Sequence, residues 1–355
     1  MSQKKKILVF VGVVAAFALT GAARALALAA PPASVSSFPH HYNTPYWKIF
    51  YYKENDTARA SLFQNWKYID LLAPQAYAIN PEGKLEGSID PLILDFTRTH
   101  GIRMLPLVTN KSFGRAAYQA VLDDPAKQNS AIGAMVTEAK AKGYFGWQID
   151  FEGMDLSYRQ KFSNFVKNFS EEMRRNGLES SVAVIAQISE KPSDYPRNLW
   201  QKLIGVYDYK SLGESADFVS IMSYDDPNSK GPIAGYTWLS KVLSYSLSVI
   251  PAGKISLGIP LYYWRRNATN QKLVAIGGFP QMKNFIRKYR VSYGYSEAEQ
   301  ESYIAYWSGG TKYVIWYEDT KGMEAKISLI KKHKLAGFSA WVLGLEVPGI
   351  YKALR

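Results

Sequence analysis

Gly143-Tyr-Phe-Gly-Trp-Gln-Ile-Asp-Phe-Glu-Gly153 places polar residues at alternate positions of an otherwise apolar run. As a strand it turns Phe145, Trp147, Ile149 and Phe151 to one face and Gly146, Gln148, Asp150 and Glu152 to the other. An apolar outer face with helical segments on either side reads as one stave of a parallel sheet covered by helices. The polar row then points into a barrel or crevice. Burying an amide and two carboxylates there without partners costs roughly 2 kcal/mol or more for each group, so the row needs hydrogen bonds, a ligand or chemistry. Glu152, last in the row, sits at the carboxyl end, where parallel α/β folds build their sites.

Outward from this stretch the chain alternates. Strand-like runs occupy Lys48 to Tyr52, Ile69 to Tyr77, Arg103 to Thr109, Phe145 to Phe151, Ser181 to Ile188, Phe218 to Tyr224, Ile255 to Leu261 and Gly337 to Gly344. Between them, Pro91 to His100, Asn129 to Lys142 and Tyr158 to Asn176 carry apolar residues at helical spacing. Strands separated by helices, joined by right-handed crossovers, give an α/β fold of the (β/α)8 TIM-barrel class. An open doubly wound sheet is the alternative, but no Gly-rich phosphate loop follows the first strand. The rhythm breaks after the seventh strand. Tyr263 to Glu318, with a β-rich stretch Ser302 to Tyr317 and a Gly309-Gly310 turn, reads as a small α+β insertion between strands seven and eight, beside the carboxyl mouth.

At the amino end, Lys4, Lys5 and Lys6 precede an uncharged run from Ile7 to Ala23, then Arg24 and the Ala-rich stretch to Ala30. This is the pattern of a signal peptide, residues 1–27, with an uncleaved anchor as the alternative. Either reading exports the protein, to a secreted, periplasmic or envelope-associated location; a membrane partner follows only if the segment stays uncleaved. Residues 28–45, rich in Pro and Ser, read as a loose tether, and 46–355 as the catalytic barrel. Loss of residues 1–27 removes four basic residues and no acids, so the net charge falls from +13 to +9. The remaining basic residues are scattered without interleaved aromatics, which excludes a nucleic-acid partner and suits an acidic envelope. With no cysteine, neither disulfides nor thiolate chemistry is open to the chain. The four histidines, at 40, 41, 100 and 333, are not at ligand spacing on any strand end, so no metal or other cofactor is expected.

Beyond Asp150 and Glu152, Met222-Ser-Tyr224-Asp225 closes the sixth strand with Met222 and Tyr224 on one face, and Trp341 ends the eighth. A mouth with a carboxyl pair, a phenol and an indole suits a sugar: aromatic faces stack on pyranose rings while carboxylates do the acid and base work. Gln75, Tyr77, Gln187, Tyr262 and Trp316 stand near strand ends as candidate groove residues, each equally able to pack or to brace its neighbours.

Phe145-Gly-Trp-Gln-Ile-Asp-Phe-Glu152 resembles the Asp-Gly-x-Asp-x-Asp-x-Glu signature of glycoside hydrolase family 18, the chitinase-like barrels. Ile221-Met-Ser-Tyr-Asp225, Lys254-Ile-Ser-Leu-Gly-Ile-Pro-Leu-Tyr262, Ile315-Trp-Tyr-Glu-Asp319 and Ala340-Trp-Val-Leu-Gly344 follow in the family's order, over roughly residues 65–350. The wording is most similar to the spore-cortex-lytic N-acetylglucosaminidase branch. The resemblance implies retaining, substrate-assisted hydrolysis of N-acetylglucosamine-containing glycans, peptidoglycan or chitin-type. It implies Glu152 as acid, Asp150 as its companion, Tyr224 as the hydroxyl that orients the substrate carbonyl, and Trp341 as the floor of the reacting subsite. Met222, Asp225, Tyr77, Gln187, Tyr262 and Gln148 are expected to contact substrate. Phe145 and Gln148 depart from the signature, each replacing an Asp; a neutral Gln148 donating to Asp150 would leave that carboxylate more firmly ionised. The alternative to an active enzyme is a catalytically idle barrel that recognises wall glycans.

Overall fold

The computed structural model describes residues 46–355; the expected signal peptide and tether lie outside the described residues. Eight parallel strand positions close into a barrel: β1 (Trp47–Tyr52), β2 (Leu71–Ile79), β3 (Arg103–Met104, resuming as Leu107–Asn110), β4 (Gly146–Asp150), β5 (Glu179–Ile185), β6 (Phe218–Met222), β7 (Ile255–Pro260) and β8 (Gly337–Trp341). Closure is direct, since β1 pairs with both β8 and β2. The third strand was expected unbroken from Arg103 to Thr109; it is interrupted at Leu105-Pro106, because a proline has no N–H to give the ladder.

Alternation sorts each strand between two cores. From β4, Trp147 and Ile149 face outward, with Phe151 just beyond, all fully buried against the helices. Phe151 stacks on Phe165 at 5.6 Å, and the Trp147 indole donates to the Met135 carbonyl at 2.9 Å. Burying side chains of this size stabilises by about 1.5–3 kcal/mol apiece. A smaller cluster inside the barrel holds Ile49, Tyr51, Leu71, Ala73, Leu107 and Phe218. Phe145 packs with this inner cluster, against Trp47 at 6.0 Å and under the Arg103 guanidinium at 5.0 Å. Expected on the outer face with Trp147, it lies before β4 begins, so strand alternation does not govern it.

The insertion is a five-stranded antiparallel sheet with one helix, Phe279–Lys288. Its strands are Leu273–Gly277, Tyr263–Asn267, Thr311–Tyr317, Glu301–Ser308 and Ser292–Ser296, in that spatial order. Gly309 and Gly310 turn the central hairpin with φ of 56° and 73°, values that favour glycine.

A buried ionic cluster ties the insertion to the barrel. Lys326, on the helix Thr320–His333 that leads into β8, pairs with Glu318 at the end of the insertion, both almost wholly buried. Glu301, which opens an insertion strand, accepts the N–H groups of Ile233 and Ala234 from the connection after β6, at 3.0 and 3.1 Å. Gly322 leaves room for this cluster: a Cβ there would lie 1.9 Å from a Glu318 oxygen and would displace that carboxylate. Two acids face one base, and burial raises the pKa of Glu318 to about 8 while Lys326 pulls it back.

Removing the cation leaves both acids buried without a counter-charge. Lys326→Met is expected to cost about 3–5 kcal/mol at neutral pH. Because the folded pKa of Glu318 lies above its unfolded value, its favourable contribution is lost as pH rises through the folded value. Denaturant titrations should therefore show the parent itself less stable at pH 8 than at pH 5, and Lys326→Met less stable than the parent at neutral pH; a variant within about 1 kcal/mol of the parent would count against the cluster.

Candidate active site

The barrel interior is built in layers. Above the apolar cluster lies a polar one: the Tyr51 hydroxyl donates to Gln148 Oε1 at 2.8 Å, and Gln148 Nε2 donates to Ser181 Oγ and Ser220 Oγ, each at 2.8 Å. Ser339 Oγ joins Ser220 at 2.9 Å and Ser256 at 2.7 Å. Both amide hydrogens of Gln148 are thus engaged with serines, so it does not donate to Asp150 as its position suggested. Fully buried, Gln148 supports the floor of the site rather than lining its surface.

Above this layer are the mouth residues. Asp150 ends β4 and is 3% exposed; its Oδ1 is buried without a hydrogen-bond partner, which is costly unless a ligand supplies one. Burial raises the Asp150 pKa, and the Gln75 amide holds it back. Glu152, two residues on, is raised first by burial, then by the charges of Asp150 and Asp225. Asp150 has the Gln75 amide to favour its charge, whereas no hydrogen bond reaches the Glu152 carboxyl among the described residues, so the shared proton belongs on Glu152. Tyr224 stands among these groups: burial, with Tyr51, Asp225, Asp150 and Glu152 around it, pushes its phenol well above the ordinary value and keeps it protonated.

The rim is aromatic and acidic. Tyr262 meets Tyr224 edge-on at 6.2 Å and donates its hydroxyl to Asp225. Asp225 adopts φ of 63°, uncommon for a non-glycine residue; although the residue is exposed, desolvation of its carboxyl in the mouth raises it to about 6 while the Tyr262 hydroxyl holds it back. Trp341, at the end of β8, lies 5.2 Å from the Tyr51 ring and is partly exposed. Met222, half-buried, continues the inward row of Phe218 and Ser220. Tyr224, Trp341 and Leu345 pack on Tyr262 and Trp264, so the insertion's first strand abuts the mouth.

Three sequence candidates lie elsewhere. Tyr77 turns outward onto Trp147 at 4.9 Å, its hydroxyl held by Tyr144 at 2.7 Å and Glu138 at 2.9 Å. The cause is a register shift between Gln75 and Tyr77, which opposes Leu107 and Val108. One extra residue, Ala76, reverses the alternation, keeping Gln75 inside and sending Tyr77 out. Gln187 is wholly buried, its Nε2 donating to the Ile204 and Tyr207 carbonyls at 2.9 Å each. Trp316 sits on the insertion sheet beside Tyr303 at 4.9 Å, against Gly231.

Two residues that sequence reasoning missed hold the acid in place. Asn110, at the end of β3, accepts the Glu152 N–H at 2.9 Å and donates to the Glu152 carbonyl at 3.1 Å. Tyr207, wholly buried, donates to the Phe151 carbonyl at 2.7 Å. An asparagine closing the strand next to the acid's own was the available signal for the first; nothing in the residue type of the second signals a bond to that carbonyl.

The model of glycosyl hydrolases family 18 matches residues 48–346. The chain belongs to that family. It is a glycoside hydrolase, 26% identical over 314 residues to an uncharacterized glycosylase, YvbX, of Bacillus subtilis, covering 86% of this chain and 89% of that protein. It is also 26% identical over 291 residues to the cortical fragment-lytic enzyme of Bacillus subtilis, covering 79% and 66%. The crystal structure of a chitinase from Chromobacterium violaceum superposes with a TM-score of 0.76 at 25% identity, covering 86% and 96%.

Asn110→Ala would leave the Glu152 backbone free to shift. The expected loss in kcat is about 10–100-fold with KM little changed, since a displacement near 1 Å can cost that much. Steady-state kinetics on a soluble N-acetylglucosamine oligomer would read it, and a kcat within twofold of the parent would contradict the bracing role.

Proposed function

We propose that the chain is an exported N-acetylglucosaminidase that cleaves peptidoglycan or chitin-type glycans by a retaining, substrate-assisted mechanism. The observation that carries this reading is the unanswered Asp150 Oδ1, buried beside a protonated Glu152 and the Tyr224 phenol. A 2-acetamido group offers what those three lack: an N–H for Asp150, a carbonyl oxygen for the Tyr224 hydroxyl to orient, and a nucleophile that spares the enzyme a covalent bond of its own.

Glu152 gives its proton to the glycosidic oxygen as the C–O bond breaks, and the acetamido oxygen closes on the anomeric carbon. The resulting oxazolinium ion carries a positive charge that the Asp150 carboxylate offsets through the N–H. Water then adds to the anomeric carbon as its bond to the acetamido oxygen breaks, yielding a proton to the Glu152 carboxylate and regenerating the acid and the acetamido group with retained configuration. Trp341 offers an indole face to the sugar at this position. The likeness to the glycosylase and the cortical fragment-lytic enzyme supports a wall glycan as substrate. The basic leader with its A-x-A stretch supports export, and the net positive charge favours an acidic wall.

Reducing-end release from N-acetylglucosamine oligomers and purified wall tests the reading. Glu152→Gln should lower kcat by about 10²–10⁴-fold, and de-N-acetylated oligomers should be refractory. Turnover by the variant at the parent rate, or equal cleavage of de-N-acetylated substrate, would overturn it.

The pH profile gives a separate check. Activity needs Glu152 protonated, so its raised pKa carries the alkaline limb above the ordinary carboxylate range. Asp225→Asn removes one of the charges that raise it, so that limb should move to lower pH. A limb that stays in place would show that Asp225 does not act on the acid.

A further inference from the structure

The insertion sheet has two faces with different fates. One is covered by the helix Phe279–Lys288: Tyr306 pairs with Tyr313 in register, and Phe285 stacks on Tyr306 at 5.6 Å. The other carries Tyr303, Ala305 and Trp307 from one strand and Lys312, Val314 and Trp316 from its partner. Near the barrel this second face is closed, because Gly231 packs on Trp316 and accepts from Arg266 Nε at 3.1 Å. At the far end it is open. Trp307 is 64% exposed, a large apolar surface for which the fold itself has no use.

The surroundings of that indole are specific. Lys312 pairs with Trp307 across one side of the strand, and Arg290, just before the strand Ser292–Ser296, flanks the other. Ser292 and Ala305, paired in register and both small, form a shelf beside the ring. Together with Tyr306 these residues line a shallow cavity of about 240 Å³ that has no acidic residue in its wall. Neither Arg290 nor Lys312 forms an ion pair among the described residues. None of these groups belongs to the mouth around Glu152.

From this geometry we infer that Trp307, between Arg290 and Lys312, is a second glycan-binding platform, separate from the catalytic mouth, that holds a carboxylate-bearing strand of wall polysaccharide. A pyranose ring presents C–H groups that stack on an indole face, the two cations meet carboxylates on the strand, and the Ser292 hydroxyl, whose hydrogen goes to the Ala305 carbonyl at 3.3 Å, can accept from a sugar hydroxyl. Hydrophobic contact alone would accept many partners; the cations on both flanks select an anionic one. The platform rests on the wall-glycan reading proposed above, and it would hold the enzyme on an insoluble substrate while the mouth works on a nearby bond.

Co-sedimentation of the full-length protein with purified insoluble peptidoglycan, and with uncharged chitin, tests the inference. Trp307→Ala should weaken sedimentation with peptidoglycan at least fivefold, while Trp307→Tyr, which keeps an aromatic face, should largely preserve it. Arg290→Ala with Lys312→Ala should weaken binding to peptidoglycan but not to chitin. Hydrolysis of a soluble N-acetylglucosamine tetramer should stay within twofold for all three, which separates this site from the catalytic one and certifies folding. Binding by Trp307→Ala equal to the parent, or equal losses in Trp307→Ala and Trp307→Tyr, would overturn the platform. So would a loss seen only with anionic lipid vesicles, which would assign the patch to a membrane surface. A parent that binds wall through Trp307 yet cleaves no glycan would sink the hydrolase reading and leave the platform standing.

Discussion

Asp150 is buried at the end of β4 and Glu152 stands half-buried just past it, where desolvation first and the like charge of Asp150 second favour a proton on Glu152 near neutral pH. Everything distinctive about the site follows from where that proton sits. The Gln75 amide reaches Asp150 and favours its charge, while Glu152 meets only burial and the like charges of Asp150 and Asp225. Gln148, which could have answered Asp150, is committed instead to Tyr51, Ser181 and Ser220. The outcome is a Glu152 that favours a proton and an Asp150 with an open lone pair, the division of labour that the proposed substrate-assisted cleavage requires.

Such a pair is unfavourable to folding, and the surrounding structure offsets it. Asn110 grips both backbone groups of Glu152 from the adjacent strand, and Tyr207 holds the carbonyl before it. The insertion is fastened by the buried Lys326, Glu318 and Glu301 cluster, so the wall it raises beside the mouth is fixed to the last helix and to the connection after β6. Both devices place rigid elements around strained chemistry, and both use polar groups that are expensive to bury unless fully partnered.

Much of this was legible in the sequence. The period-two row from Gln148 to Glu152 set the inward face, and the runs of apolar residues gave the staves in their order. The gap of about sixty residues after the seventh strand, with its Gly-Gly turn, announced the insertion. What escaped was decided by single-residue events. Ala76 reverses the alternation within β2 and carries Tyr77 out of the groove, and no local feature of an Ala between Gln and Tyr signals a bulge. Pro106 breaks β3, where the apolar run from Arg103 to Thr109 reads as one strand. The partners of Gln148 are Tyr51 on β1 and serines on β5 and β6, and only the three-dimensional arrangement brings these inward positions to its amide. Asn110 and Tyr207 act on backbone atoms, an interaction that leaves little trace in residue type.

The central claim, that Glu152 holds the proton because Asp150 holds the charge, is tested most directly by a ¹³C NMR titration of the Glu152 carboxyl in the free enzyme. The Glu152 carboxyl should still be protonated near neutral pH, and its titration should move to lower pH in Asp150→Asn as the like charge is removed. A Glu152 carboxyl that titrates in the ordinary carboxylate range in both proteins would contradict that claim.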